Sequence, residues 1–232
     1  MSTEMPQPGK DPAAAAKLQI LATEHWSLLA TRTLTYSESL SRVTIFLSIL
    51  SGAVIALALV AQVSRFGRAF IAIAIPLLSV VVFVGISTIG RLMQLNGDDF
   101  RWVVGMNRLR RAYLELHPEL EPYFITGAYD DLPGALQTIG YTLGTRRRVG
   151  SVLHTLQTLP GMLSVIVASV VGAIGALAAL AIGLPSLGVV LVAAAAFVIA
   201  MVWLTFWGRR GLRRSDPILE PRFPSPPAKN SR

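Results

Sequence analysis

The sequence predicts an all-α membrane protein: four transmembrane helices arranged as two hairpins, with a cytoplasmic helical segment between them. Three observations carry this. Of the 232 residues, 53% are hydrophobic and only 15% are charged, against about 25% charged in an ordinary soluble domain. The charges also leave long gaps. None falls between Arg42 and Arg65, none between Arg68 and Arg91, and only His154 interrupts the stretch from Arg148 to Arg209. Finally, these gaps fit multiples of the roughly 20 apolar residues needed to cross about 30 Å of hydrocarbon.

Residues 1–10 are polar and contain proline, which predicts a disordered tail. Residues 1–41 lack the short apolar core and cleavage pattern of a signal peptide, so the first apolar run is expected to stay in the protein as an anchor. Asp11-Pro12 reads as a helix start, with Asp as N-cap and Pro at the first helical position. The stretch from Ala13 to Ser41 has no internal Gly or Pro. Leu18, Leu21, His25, Leu28 and Leu29 recur at helical spacing. The stretch 11–42 is therefore expected to be an amphipathic cytoplasmic helix, with a stripe suited to the central segment, a second chain or the bilayer surface.

The first hairpin is expected over 43–90, with spans at 43–63 and 69–90 joined by the short Ser64-Arg65-Phe66-Gly67-Arg68 turn. The last apolar stretch, 149–208, is too long for one span. Gly183-Leu184-Pro185-Ser186-Leu187-Gly188 divides it into spans at 161–182 and 188–207. A soluble bundle of four such helices would need a protein shell, and the remaining residues are too few and too polar to build one. Basic residues orient the spans. Arg42, Arg91, Arg146, Arg147, Arg148, Arg209, Arg210, Arg213 and Arg214 lie on one side, against Arg65 and Arg68 on the other. The richer side is the cytoplasmic one, so both termini and the central segment belong there. Trp203 and Trp207 suit an interfacial belt.

The central segment, 91–159, reads as helical. Asp98-Asp99 looks like the acidic start of a helix through Leu109 that His117-Pro118 ends. A short turn over 118–124 is expected next, then Asp130-Asp131-Leu132-Pro133 as an N-cap leading a short helix to Ile139. The tail, 209–232, begins basic and ends rich in proline. Its PxxP spacing is compatible with an adaptor ligand, but an extended solubilising tail is the simpler reading.

Chemistry finds little support. The absence of cysteine excludes disulfides and thiolate chemistry. The spans hold no Asp, Glu, Lys, Arg or His, which argues against proton- or ion-coupled transport. His25, His117 and His154 lack metal-ligand spacing, and no phosphate loop or nucleophile elbow is present. The paired Asp98/Asp99 and Asp130/Asp131 read better as helix caps than as acid–base groups. No cofactor, metal or nucleic acid is expected. The candidate sites are anionic-lipid contacts at Arg146, Arg147, Arg148, Arg209, Arg210, Arg213 and Arg214, and helix-packing ridges at Ser48, Gly52 and Ala56 and at Ser164, Ala168, Gly172 and Ala176. A constant offset of 120 relates Gly52-Ala53-Val54-Ile55-Ala56-Leu57-Ala58 to Gly172-Ala173-Ile174-Gly175-Ala176-Leu177-Ala178, which would suit an old duplication of a hairpin.

Three stretches carry a family look: 20–32, Ile-Leu-Ala-Thr-Glu-His-Trp-Ser-Leu-Leu-Ala-Thr-Arg; 102–110, Trp-Val-Val-Gly-Met-Asn-Arg-Leu-Arg; and 113–124, Tyr-Leu-Glu-Leu-His-Pro-Glu-Leu-Glu-Pro-Tyr-Phe. Over about residues 18–210 the chain resembles a group of uncharacterised bacterial membrane proteins with the same two-plus-two helix plan. The resemblance implies the architecture and no activity. The scarcity of lysine, confined to Lys10, Lys17 and Lys229, suits a GC-rich bacterial genome.

The function expected from these features is that of a non-enzymatic inner-membrane protein. Its cytoplasmic helices would bind a membrane or cytoplasmic protein partner, or further copies of the chain in a homo-oligomer, with membrane lipids around the spans. One alternative is an oligomeric passive channel lined by Ser48, Ser51, Ser79, Ser87, Thr88, Ser164 and Ser169. A second is a membrane enzyme using the paired aspartates.

Overall fold

A computed structural model describes residues 12–140, 158–208 and 220–226, together with the helical backbone of 209–214. These residues form helices and connecting turns, with no strand among them. Helix α1 spans Pro12–Ser64, α2 Arg68–Leu116, α3 Leu132–Thr138, α4 Leu159–Ala181 and α5 Ser186–Arg214, and a 3₁₀ turn covers Pro118–Tyr123. Four of the helices, α1, α2, α4 and α5, are long and apolar enough to cross a membrane. The chain is a multi-pass membrane protein.

α1 is one unbroken helix of 53 residues, about 80 Å long at 1.5 Å per residue. That is more than twice the thickness of a hydrocarbon core. α2 is similar, and here the structure corrects the sequence reading. Asp98-Asp99 does not start a helix, because α2 runs through Gly97 and both aspartates from Arg68 to Leu116. One interior glycine costs only about 1 kcal/mol. Buried Leu92 and Leu95 before it and buried Val103 and Val104 after it supply more than that by removal of apolar surface from water.

The chain divides into two compact units. One comprises Met1–Thr35, Asp98–Arg146 and Ile218–Arg232, the other Tyr36–Gly97 and Arg147–Pro217. In the second unit, α4 is the most deeply packed span. Its Leu163, Val167 and Val170 meet Phe46 and Ala53 of α1, Leu78, Val81 and Ile89 of α2, and Leu204 of α5. Two close approaches require glycine. A Cβ at Gly85 would collide with Val167, and one at Gly172 would sit 3.1 Å from the Ala193 carbonyl oxygen. The second contact lets α4 and α5 pack backbone to backbone.

The connections follow local chemistry. α4 ends in a Schellman motif: the Leu184 amide donates to Ala179 O at 3.1 Å and the Gly183 amide to Leu180 O at 3.0 Å, with Gly183 at φ +77°. Its start is capped by Thr158, whose hydroxyl oxygen accepts from the Gly161 amide. In the first unit, a separate core joins Val103, Val104 and Met106 of α2 to Ala135 of α3, with Leu28 of α1 packed against it.

Candidate functional site

The first unit builds its most organised polar cluster around Asp130 and Asp131. Asn107 of α2 prepares it. This side chain is fully buried; its amide donates to Tyr129 O at 2.7 Å, and its oxygen accepts from Arg110 at 2.8 Å and from the Thr138 hydroxyl at 3.0 Å. A buried amide with its hydrogen-bonding groups engaged fixes the strand-like approach to Asp130 and the far end of α3 at once. Asp131 is the N-cap of α3, accepting from the Gly134 amide at 2.9 Å. Gly134 packs on Tyr129 so closely that a side chain there would collide with it.

The two carboxylates then hold a segment some 92 residues away in sequence. Asp130 accepts from the Arg222 amide at 2.9 Å, the Phe223 amide at 2.8 Å and the Arg108 guanidinium at 2.7 Å. Its own amide donates to Phe223 O at 3.1 Å. Asp131 accepts from the Ser225 amide and the Ser225 hydroxyl, each at 2.7 Å. Arg108 also donates to Glu220 O at 3.0 Å, and the Arg111 guanidinium lies 6.0 Å from the Phe223 ring centroid, within cation–π range.

This explains the proline pattern of the segment. Residues 221–226 read Pro-Arg-Phe-Pro-Ser-Pro. Proline has no N–H, so the segment carries amides only at Arg222, Phe223 and Ser225, and each of the three is taken by an aspartate. The backbone bends at Arg222 and Phe223, which turns both of their amides toward the one Asp130 carboxylate. The expectation of a freely extended solubilising tail is therefore corrected over 220–226, where the PxxP element is docked on its own chain.

The carboxyls are tuned for this task. Burial pushes the Asp130 carboxyl up, but the Arg222 amide, Arg108 and the Phe223 amide together outweigh burial and hold it below its ordinary value. For Asp131, burial is likewise outweighed by the Ser225 hydroxyl and amide and the Gly134 amide. Donors of this kind favour the charged form. Nearby, His25 stacks on Tyr113 with ring centroids 5.9 Å apart. Burial and then Arg110 lower its pKa. The neutral ring acts here as packing.

Asp98 and Asp99 look alike in sequence and differ in place. Asp99 receives a two-pronged contact from Arg32 at 2.6 and 3.3 Å, and Asp98 pairs with Arg101 at 3.3 Å. All four side chains are a third exposed or more. His117 meets Glu119 at 2.9 Å on the surface, and His154 lies outside the described residues. Among the described residues, no three His, Asp or Glu side chains converge as metal ligands would.

The two small-residue ridges part company. Ser164, Ala168 and Gly172 are buried and Ala176 is half-buried, and Gly172 meets Ala193 and Phe197 of α5. Ser48, Gly52 and Ala56 are exposed, with nothing within 4 Å of a Cβ at Gly52. Among the described residues that ridge packs on no other element, because α1 turns Phe46 and Ala53 inward instead. The hydroxyls of Ser48, Ser79, Ser87, Thr88, Ser164 and Ser169 each donate to the carbonyl four residues back on their own helix, as hydroxyls in helices do where water is scarce. Arg146, Arg147 and Arg148, and the side chains of Arg209, Arg210, Arg213 and Arg214, lie outside the described residues.

Sequence reasoning missed Glu38. In the second unit it accepts from Arg42 at 2.8 Å and from Arg91 at 3.0 and 3.1 Å, tying α1 to α2. Hydrogen bonds from Arg91 and then Arg42 bring its pKa down to about 2. No protein-family model, curated protein or solved structure matches the chain.

Proposed function

We propose that the chain is a non-enzymatic protein of the cytoplasmic (inner) membrane. Its four spans form two hairpins, its termini and the segment between the hairpins are cytoplasmic, and that cytoplasmic part binds a proline-containing peptide by its backbone. The single observation that carries the binding role is the capture of all three amides of 221–226 by Asp130 and Asp131. Backbone capture of this kind recognises the bent backbone that presents these amides more than a particular set of side chains. A docked segment of the same chain blocks the site in cis. The tail of a second copy, or a partner with the same Pro-x-x-Pro spacing, competes for it by mass action. The arginine asymmetry around the spans supports the orientation.

The experiment adds a labelled peptide spanning 218–228 to the full chain in lipid nanodiscs. Wild-type protein binds it weakly because its own tail is in place. Phe223→Ala, which loses the ring facing Arg111, loosens the resident tail and binds the added wild-type peptide more tightly. Asp130→Ala, without the anchor, binds none. Equal binding by all three proteins would remove the reading.

A further inference from the structure

We propose that the α1–α2 turn is a binding site for one anionic phospholipid, with an acyl chain in an apolar groove and the headgroup phosphate on Arg65 and Arg68. The groove has a volume of about 360 Å³ and lies between the end of α1 and the start of α2, lined by Val54, Leu57, Ala61, Gln62, Phe66 and Phe70 among others. This is within the size range of ligand pockets. Gln62 is its one polar lining residue. The groove belongs to two helices long and apolar enough to span a membrane, so the matter available to fill it is hydrocarbon.

The charge at its rim selects among lipids. Arg65 adjoins the lining residue Phe66, and Arg68 lies two residues before Phe70. Both arginines are exposed and make no ion pair among the described residues. The contrast with Arg42 and Arg91 is informative, because those two share Glu38. No Asp or Glu occurs anywhere between Glu38 and Asp98, so the chain near this turn has no acid to offer its arginines. These exposed arginines are therefore open to a charge from outside, and beside an acyl-chain groove a lipid phosphate supplies it. The turn is also firmly shaped. Arg65 and Phe66 both hold left-handed backbone, at φ +47° and +59°, which residues with side chains seldom adopt. The Gly67 amide closes the turn on Ser64 O at 2.9 Å, and Phe66 meets Phe70 edge-on at 5.2 Å. α2 begins at Arg68, so its N-terminal amides add positive potential at the same end.

The test is native mass spectrometry of the full chain released from nanodiscs of equal parts palmitoyl-oleoyl phosphatidylglycerol and phosphatidylcholine. Wild-type protein should retain one phosphatidylglycerol in preference to phosphatidylcholine by roughly thirtyfold, about fivefold for each arginine. Arg65→Ala with Arg68→Ala should abolish the preference. Ala58→Trp, which fills the groove from an exposed lining position, should abolish the single retained lipid while leaving both arginines in place. The surface location of all three changes leaves the packed core intact, and an unchanged melting temperature checks this. A wild type with no preference, or an arginine variant that keeps it, overturns the headgroup assignment. A groove variant that still retains one lipid overturns the acyl-chain assignment.

Discussion

Asp98-Asp99 and Asp130-Asp131 are the same dipeptide, and they differ in almost everything that determines an energetic role. The first pair sits inside α2, where the helix satisfies its own backbone and leaves the carboxylates free to meet Arg101 and Arg32 at the surface. The second pair sits where α3 begins after an extended stretch, so unsatisfied amides are nearby and the Asp130 side chain is fully buried. A buried carboxylate demands partners, and this one finds them on a segment from the far end of the chain. The difference shows that an aspartate pair acquires a binding role from backbone left unpaired around it.

Substitutions sharpen this contrast. Asp130→Ala should have the largest effect. It leaves the Arg222 and Phe223 amides and the Arg108 Nε–H without their acceptor, at about 3 kcal/mol, the lower end for a broken buried pair because Arg108 is partly exposed and keeps its bond to Glu220 O. Amide exchange of 220–226 should then speed up by roughly a hundredfold. Asp131→Ala removes the α3 cap and the Ser225 contacts, for about 1–2 kcal/mol. Exchange at Ser225 and in the first turn of α3 should rise by about tenfold, with Arg222 less affected. Asp99→Ala and Asp98→Ala should each change the melting temperature little, since exposed ion pairs contribute about 1 kcal/mol or less, and should leave 220–226 protected. A tail released by Asp99→Ala would break the comparison.

The smallest expected effect is that of mild acid. The Asp130 and Asp131 carboxyls are held below their ordinary value, about 3.9 for a free aspartate. A depressed folded-state pKa contributes stability that is present above the unfolded value and is lost as pH falls through the folded one. Exchange at 220–226, corrected for its intrinsic rate, should therefore be unchanged between pH 7 and pH 5. Release should begin only below about pH 4. Release near pH 6 would assign the docking to another group.

The four long apolar helices were legible because charge gaps are a property of composition, which burial in lipid enforces residue by residue. The α3 cap was legible for a similar reason: Asp131-Leu132-Pro133 is local chemistry. What failed was non-local. Nothing in the sequence around Asp98 announces that α2 continues through it, because buried neighbours on either side settle the matter. The pairing of 130–131 with 222–225 joins residues more than 90 positions apart, and the only sign of it is that three prolines, Pro221, Pro224 and Pro226, remove the amides the aspartates do not use. The matched heptapeptides at 52–58 and 172–178 give the same lesson. Gly52 is open while Gly172 is buried, and Ala53 is buried while Ala173 is exposed. Identical residues therefore face different ways, and the match does not carry a shared packing role.

The central claim is that Asp130 and Asp131 hold a bent, proline-containing segment by its backbone. The most direct measurement is residue-resolved amide exchange of the full chain in nanodiscs, read at Arg222, Phe223 and Ser225, for wild type, Asp130→Ala and Asp99→Ala. The account predicts three slow amides in the wild type, fast exchange at Arg222 and Phe223 in Asp130→Ala, and wild-type rates in Asp99→Ala. Exchange at the free-chain rate in the wild-type protein would contradict it.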